Sequence, residues 1–296
     1  MKLLEKFLKN TVEQVFNRYL KTYAESTPDN VIKRSLKYLD PVAVNQIKEY
    51  LRKCFSDSGG FCDRAGHPDI YYTLFGHFIV NGFSLDHLFP GIDTFTQHKI
   101  RTETLSDVHL HCAAILISTT PSGWGYPDGV VHKRKVKKSI RAAIEQQKIY
   151  NAFLGLLTCY YMRDWAGIFR IRKFLASGIR QTGLPSTLLA AELVLQKSFN
   201  RQTGPTVNRL LAFYDQHGGF KATEAARLSD LLSTSVALYA LSYAGYDLRM
   251  LRPACLAYVD SLFYEGGFAA NAVDPDTDIE YTFYGLLALG ALANEQ

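Results

Sequence analysis

The sequence predicts an all-α fold of about six helical hairpins in two concentric layers, with two extra helices at the N-terminus. Three observations predict it. One loop phrase occurs three times: "GGFCDRAGHPDIYYT" (59–73), "GGFKATEAARLSDLLST" (218–234) and "GGFAANAVDPDTDIEYT" (266–282). Each phrase runs into a strongly apolar segment, and a helix apolar most of the way round is buried. Amphipathic segments, apolar at every third and fourth residue, alternate with these, and no run alternates as a strand does. A unit repeated this way stacks into a repeat architecture. Half-buried outer helices paired with buried inner ones enclose a central hollow.

The N-terminus, "MKLLEKFLKNTVEQVF", is an amphipathic helix. Its charges interrupt any signal-peptide core. Residues 1–40 form a helical extension that covers one end or side, and the ring occupies 42–293 of a single domain spanning 1–296. The outer helices are "PVAVNQIKEYLRKC", a weak one near "GIDTFTQHKI", "KKSIRAAIEQQ", "WAGIFRIRKFLAS", "TVNRLLAFYDQ" and "MLRPACLAYVDSLF". The inner helices are "IYYTLFGHFIV", "SDVHLHCAAILI", "KIYNAFLGLLTCYY", "STLLAAELVL", "LLSTSVALYAL" and "IEYTFYGLLALGAL". Asp69, Asp107, Asp230 and Asp278 stand where an N-cap carboxylate accepts from the first free N–H groups. Setting each phrase's Thr at zero, with His111 and Ala152 as equivalents, places small residues at plus three: Gly76, Ala114, Gly155, Ala237 and Gly285. The register of "STLLAAELVL" stays open.

Composition excludes several classes. With 47% hydrophobic and 21% charged residues the chain is globular. A net charge of +5 is weak support for nucleic-acid binding. No apolar run approaches the roughly 20 residues of a membrane span. Five scattered cysteines without CxxC spacing suggest free thiols and a cytoplasmic setting.

The Gly-Gly-Phe…Asp-x-x-x-Thr phrase resembles the repeat of the prenyltransferase and squalene-cyclase family. The resemblance spans about 42–293, strongest at the three phrases, and implies an α/α toroid with an isoprenoid in a deep apolar cavity. It also implies where catalytic groups would stand. In protein prenyltransferases, zinc is held by Asp-x-Cys in the next-to-last repeat and a His in the last. Here Asp230 is followed by Leu232, and Tyr281 takes the His position, so the three-ligand set is absent. The basic pattern before Asp230 is thinned to Glu224 and Arg227, leaving Arg227 as the candidate diphosphate contact. Asp107, His109 and His111 do not share one helix face, so a displaced metal site is disfavoured. His109 is read as cavity-lining, because the family places an Arg there, and His111 as packed. No metal and no cofactor is expected.

Class II terpene cyclases use the central Asp of a DxDD-Thr phrase as a proton donor. On that register "DIEYT" places Asp278 at minus four and Glu280 at the acid's position. A carboxyl can donate a proton there if burial and a neighbouring carboxylate raise its pKa. Glu280 is therefore the candidate acid and Asp278 its orienting partner, with Tyr71, Tyr72, Tyr150, Tyr281 and Tyr284 shaping the pocket. The structural alternative is an Asp278 N-cap with Glu280 in a first turn, where the helix dipole favours acids. The basic stretch "VHKRKVKKSIR" with "RIRK" reads first as a solvated outer face. The resemblance thus implies an isoprenoid partner and metal-independent terpenoid or polyprenyl chemistry, proton-initiated cyclisation being its concrete form. The alternatives are a catalytically silent toroid that binds a lipid or protein, and a zinc-dependent transferase with a helical partner subunit.

Overall fold

Three threonines account for the recurring phrase. The hydroxyls of Thr73, Thr234 and Thr282 donate to the carbonyls of Asp69, Asp230 and Asp278 at 2.5, 2.7 and 2.6 Å. The same oxygens accept the backbone N–H of Phe61, Phe220 and Phe268 at 3.0, 2.8 and 3.2 Å. Each Asp side chain caps the helix that follows, accepting from Tyr71, Ser233 and Tyr281 N–H at 2.7 Å. The three phenylalanines are fully buried, each contributing about 1.5–3 kcal/mol. The Phe61 and Phe268 rings lie against Gly76 and Gly285, where a Cβ would fall 2.2 and 2.4 Å from ring carbons. The first glycine of the phrase has positive φ. At Gly266, φ is +90° and a Cβ would sit 2.3 Å from the Gln46 carbonyl oxygen, so only glycine fits.

The structure is a computed structural model describing residues 21–120, 123–125, 129–145, 149–176 and 183–294. The helix expected from Met1 lies outside them. Two helices, α1 (Lys21–Glu25) and α2 (Pro28–Ser35), precede the repeats. The outer layer consists of α3 (Pro41–Cys54), α5 (Phe89–Thr102), α7 (Gly129–Glu145), α9 (Trp165–Ala176), α11 (Gly204–Leu211) and α13 (Arg252–Asp260). The inner layer consists of α4 (Ile70–Gly82), α6 (Asp107–Thr119), α8 (Ile149–Tyr161), α10 (Ser186–Ser198), α12 (Leu231–Ala244) and α14 (Ile279–Leu292). Each inner helix packs on the next, and α14 packs back on α4, closing the ring. The Gly-Gly turns make the same circuit. Gly59 abuts Gly91 of α5, Gly218 abuts Ala254 of α13, and Gly266 reaches round to Gln46 of α3. This α/α toroid is the architecture the sequence predicts.

Two details differ from expectation. Residues 263–278 form a small antiparallel sheet: β1 (Phe263–Tyr264), β2 (Gly267–Asn271) and β3 (Asp274–Asp278), with Phe268 opposite Asp278. Such short strands carry no alternation to detect, and β3 is an acidic run. The first and second phrases make only isolated bridges there, Phe55 with Phe61 and Phe220 with Asp230 among them. Second, Ser106 caps α6, its hydroxyl accepting from His109 N–H at 3.3 Å, so Asp107 is the first helical residue and the expected register there moves by one. In α10, Leu189 falls at position zero, and buried Glu192 fills the small-residue position.

The N-terminal helices cover the ends of the inner helices remote from the Asp caps. Helix α2 packs on α4 and α14, and the Val31 carbonyl sits so close to Gly290 that any Cβ would collide with it. Among the described residues, no helix is long and apolar enough to cross a membrane.

Candidate functional site

The inner helices surround a cavity of about 320 Å³. Counting from position zero, the lining repeats at minus two, plus two and plus five, which stack on one face of a helix. The mouth tier is Tyr71, Val108, Tyr150, Thr187 and Leu232. The middle tier is Phe75, Cys112, Leu154, Ala191, Val236 and Tyr284. The deepest tier is Phe78, Leu157, Val194, Tyr239 and Leu287. Burial pushes the Cys112 thiol up, which disfavours its thiolate.

Glu280 occupies the minus-two position of α14, in its first turn; it is not among the residues that line the well and reaches it through Tyr71, which is. Its Oε1 accepts a 2.7 Å hydrogen bond from the Tyr71 hydroxyl, across the seam between last and first repeats. Burial pushes the Glu280 carboxyl above the usual carboxylate range. The Tyr71 hydrogen bond opposes this, the Asp278 charge adds to it, and Arg64 again opposes. Burial also raises the Tyr71, Tyr150 and Tyr284 phenols, with the charge of Glu280 adding to each, so all three are neutral donors at physiological pH. Tyr150 is 43% exposed because its ring borders the open mouth. Phe75 bridges the aromatic group, its centroid 4.7 Å from Tyr71, 4.9 Å from Phe283 and 5.6 Å from Tyr284.

The remaining sequence-predicted residues, Asp278, Tyr72, Tyr281, His109 and Arg227, are not among those that line the well. Asp278 is buried. One carboxylate oxygen caps α14, and the other accepts from Arg64 Nε at 2.6 Å. Arg64 also donates to Asp274 at 3.0 Å and to the Asp276 carbonyl at 3.2 Å, and lies 5.5 Å from the Tyr281 ring centroid. Tyr72 is half-buried, its phenol pushed up to about 12 by burial and by Asp278 and Glu280. His109 lies outside the lining, which Val108 takes instead. Its Nε2 is 3.4 Å from Asp69 and its Nδ1 3.0 Å from Ser106. The one-residue shift of α6 produces this exchange. His111 is packed between α6, α7 and α8, 2.9 Å from the Thr158 hydroxyl, and burial lowers its pKa to about 4. Arg227 is exposed in the loop before α12.

Sequence reasoning missed Arg64, whose signal was indirect: "VDPDTD" holds three acids and no base, so a counter-charge must come from elsewhere. It comes from the first repeat because the ring closes there.

The zinc ligand set is not assembled. Leu232 lines the cavity, Tyr281 stands over Arg64, and Asp230 caps α12. Among the described residues, no group of three or more His, Cys, Asp or Glu side chains is placed to hold a metal ion.

The model of the prenyltransferase alpha-alpha toroid domain matches residues 30–87 and 186–296, more than half of the chain. The chain belongs to this prenyltransferase toroid family. No curated protein matches it. In this prenyltransferase toroid the matched parts hold Glu280, Tyr71 and the Arg64–Asp278 seam, while helices α5 to α9 lie outside the match.

Proposed function

We propose that this toroid binds an acyclic isoprenoid in its central well and starts its cyclisation by protonation from Glu280. The observation that carries the reading is an apolar, aromatic well with one lining phenol, Tyr71, hydrogen-bonded to a partly buried carboxyl behind it. A raised pKa keeps more of that carboxyl protonated near neutral pH. Tyr71 positions it, and Asp278, by capping α14 and adding negative charge beside it, favours the protonated form. The proton adds to a terminal alkene or epoxide. The resulting cation meets the ring faces of Phe75, Phe283 and Tyr284, whose quadrupoles attract positive charge. Loss of a proton from the cyclised cation ends the reaction, so substrate and product are isomers.

The charge balance of the rim supports a neutral head group. Asp69, Asp278 and Glu280 are present, and Arg64 is already committed to Asp278 and Asp274. Among the described residues a diphosphate would meet these carboxylates, with exposed Arg227 as the sequence-predicted basic contact. Tyr71, Tyr150 and Tyr284 contact the chain in the well; Tyr72, Tyr281 and His109 frame its mouth.

The test is incubation with C10, C15 and C20 prenyl alcohols, epoxides and diphosphates, in water and in D2O. The expected product has the substrate's mass in water and one added deuterium in D2O. Release of inorganic diphosphate with no isomer would replace protonation by ionisation, and binding without turnover would make the toroid a carrier.

A further inference from the structure

We infer that residues 23–35, which lie outside the repeats, form the floor of the well and make it accept an isoprenoid of two to three units with a hydrocarbon distal end. This rests on the isoprenoid reading of the cavity. Six hairpins alone surround a hollow with two open ends, and here one end is shut. Tyr23 and Pro28 line the cavity alongside the deepest tier. Tyr23 is fully buried, edge-on to Tyr160 and Tyr243 at centroid distances of 5.2 and 5.9 Å. The segment is tied to the ring by Tyr239, whose hydroxyl donates to the Ser26 carbonyl at 2.7 Å. Asp29 accepts from Tyr161 at 2.7 Å and from Asn81 at 3.0 Å.

These bonds also decide the polarity of the floor. The hydroxyl tips of Tyr239 and Tyr161 are spent on the N-terminal segment, and Tyr243 pairs with Ser198 at 2.9 Å. The hydroxyl oxygen of Tyr23 is buried and has no hydrogen-bond partner among the described residues. What faces the well is ring carbon and aliphatic side chain, so the polar end of a ligand belongs at the Glu280 rim. Length follows from volume. An apolar cavity of about 150 Å³ holds benzene, so 320 Å³ holds roughly 13 carbons on the same scale, between C10 and C15. The family model begins at residue 30, which leaves Tyr23 and Pro28 as features of this chain beyond the shared domain.

Two measurements on the full chain test this. Farnesol analogues carrying a diazirine at the distal carbon or beside the oxygen are photolysed with the wild-type protein, and the labelled peptides sequenced. The distal probe is expected on the Tyr23–Pro28 peptide and the head probe near Tyr71 or Tyr284. Distal label near Tyr150 or Leu232 overturns the inference while leaving the isoprenoid reading intact. Absence of label from both probes overturns that reading and this inference with it. Second, geraniol, farnesol and geranylgeraniol are compared by equilibrium dialysis. Removing the Tyr23 ring frees space for about one more isoprene unit, and each extra buried methylene strengthens binding roughly fourfold. In Tyr23→Ala the C20-to-C15 affinity ratio should rise at least tenfold, and in Tyr23→Phe it should stay at the wild-type value. A folded Tyr23→Ala protein with an unchanged ratio refutes the floor. Should Tyr23→Ala fail to fold, the photolabelling decides.

Discussion

Replacing Glu280 by Gln should leave a protein that is folded, slightly more stable at neutral pH, and inactive. The amide keeps an acceptor for the Tyr71 hydroxyl at 2.7 Å. It loses the charge-assisted part of that bond, about 1 kcal/mol. It also removes the burial penalty on the carboxylate. Because the Glu280 pKa is raised in the folded chain, its surroundings disfavour the charge on balance, even with the Tyr71 bond counted. The linkage sign follows. A carboxyl raised on folding contributes stability below its unfolded pKa of about 4.3 and loses that contribution as pH rises through the folded value. Glu280→Gln should therefore gain on wild type with rising pH and be the more stable of the two at pH 7. Loss of a general acid should cost between about 10² and 10⁴ in turnover. Urea titrations from pH 4 to 8, with product assays on the same samples, measure both. Unaltered turnover removes Glu280 as the acid. A variant more than about 1 kcal/mol less stable at pH 7 refutes the electrostatic argument, because it makes the carboxylate a structural partner.

Three further outcomes are expected. Arg64→Gln takes the cation from the buried Asp278 carboxylate and should cost about 2 kcal/mol in urea unfolding. Gly285→Ala places a methyl 2.4 Å from the Phe268 ring and should destabilise by about 1–3 kcal/mol, whereas Gly155→Ala, with its nearest neighbour at 3.5 Å, should be neutral or gain up to about 1 kcal/mol. Burial lowers His77 and His111 to about 4. Their contribution is complete above the unfolded value of about 6.5 and is lost as pH falls towards 4, so His77→Gln and His111→Gln should flatten the acid limb of the stability profile.

The Gly-Gly-Phe…Asp-x-x-x-Thr phrase was readable along the chain because its interactions are local: the Asp caps its own helix and the Thr hydroxyl ties a loop 12–14 residues upstream to that helix. Apolar period and small residues at plus three likewise separated inner from outer helices. The sequence by itself therefore determined the hairpins, their layering and the closed ring, and it brought Tyr71, Tyr150 and Tyr284 to the inner face. Tertiary structure decided what depends on distant partners. Arg64 meets Asp278 because the first repeat abuts the sixth, 214 residues away. A single-residue difference in capping, Ser106 for Asp107, sends Val108 into the well and leaves His109 outside its lining, and no local pattern separates two adjacent capping residues. The floor lies in a segment outside the repeat, and which end of the hollow it shuts is settled only by how α2 packs on α4 and α14. Periodicity reports which way a side chain faces within its own helix; the depth of the well, its polarity and its counter-charges come from chain segments that meet only once the ring has closed.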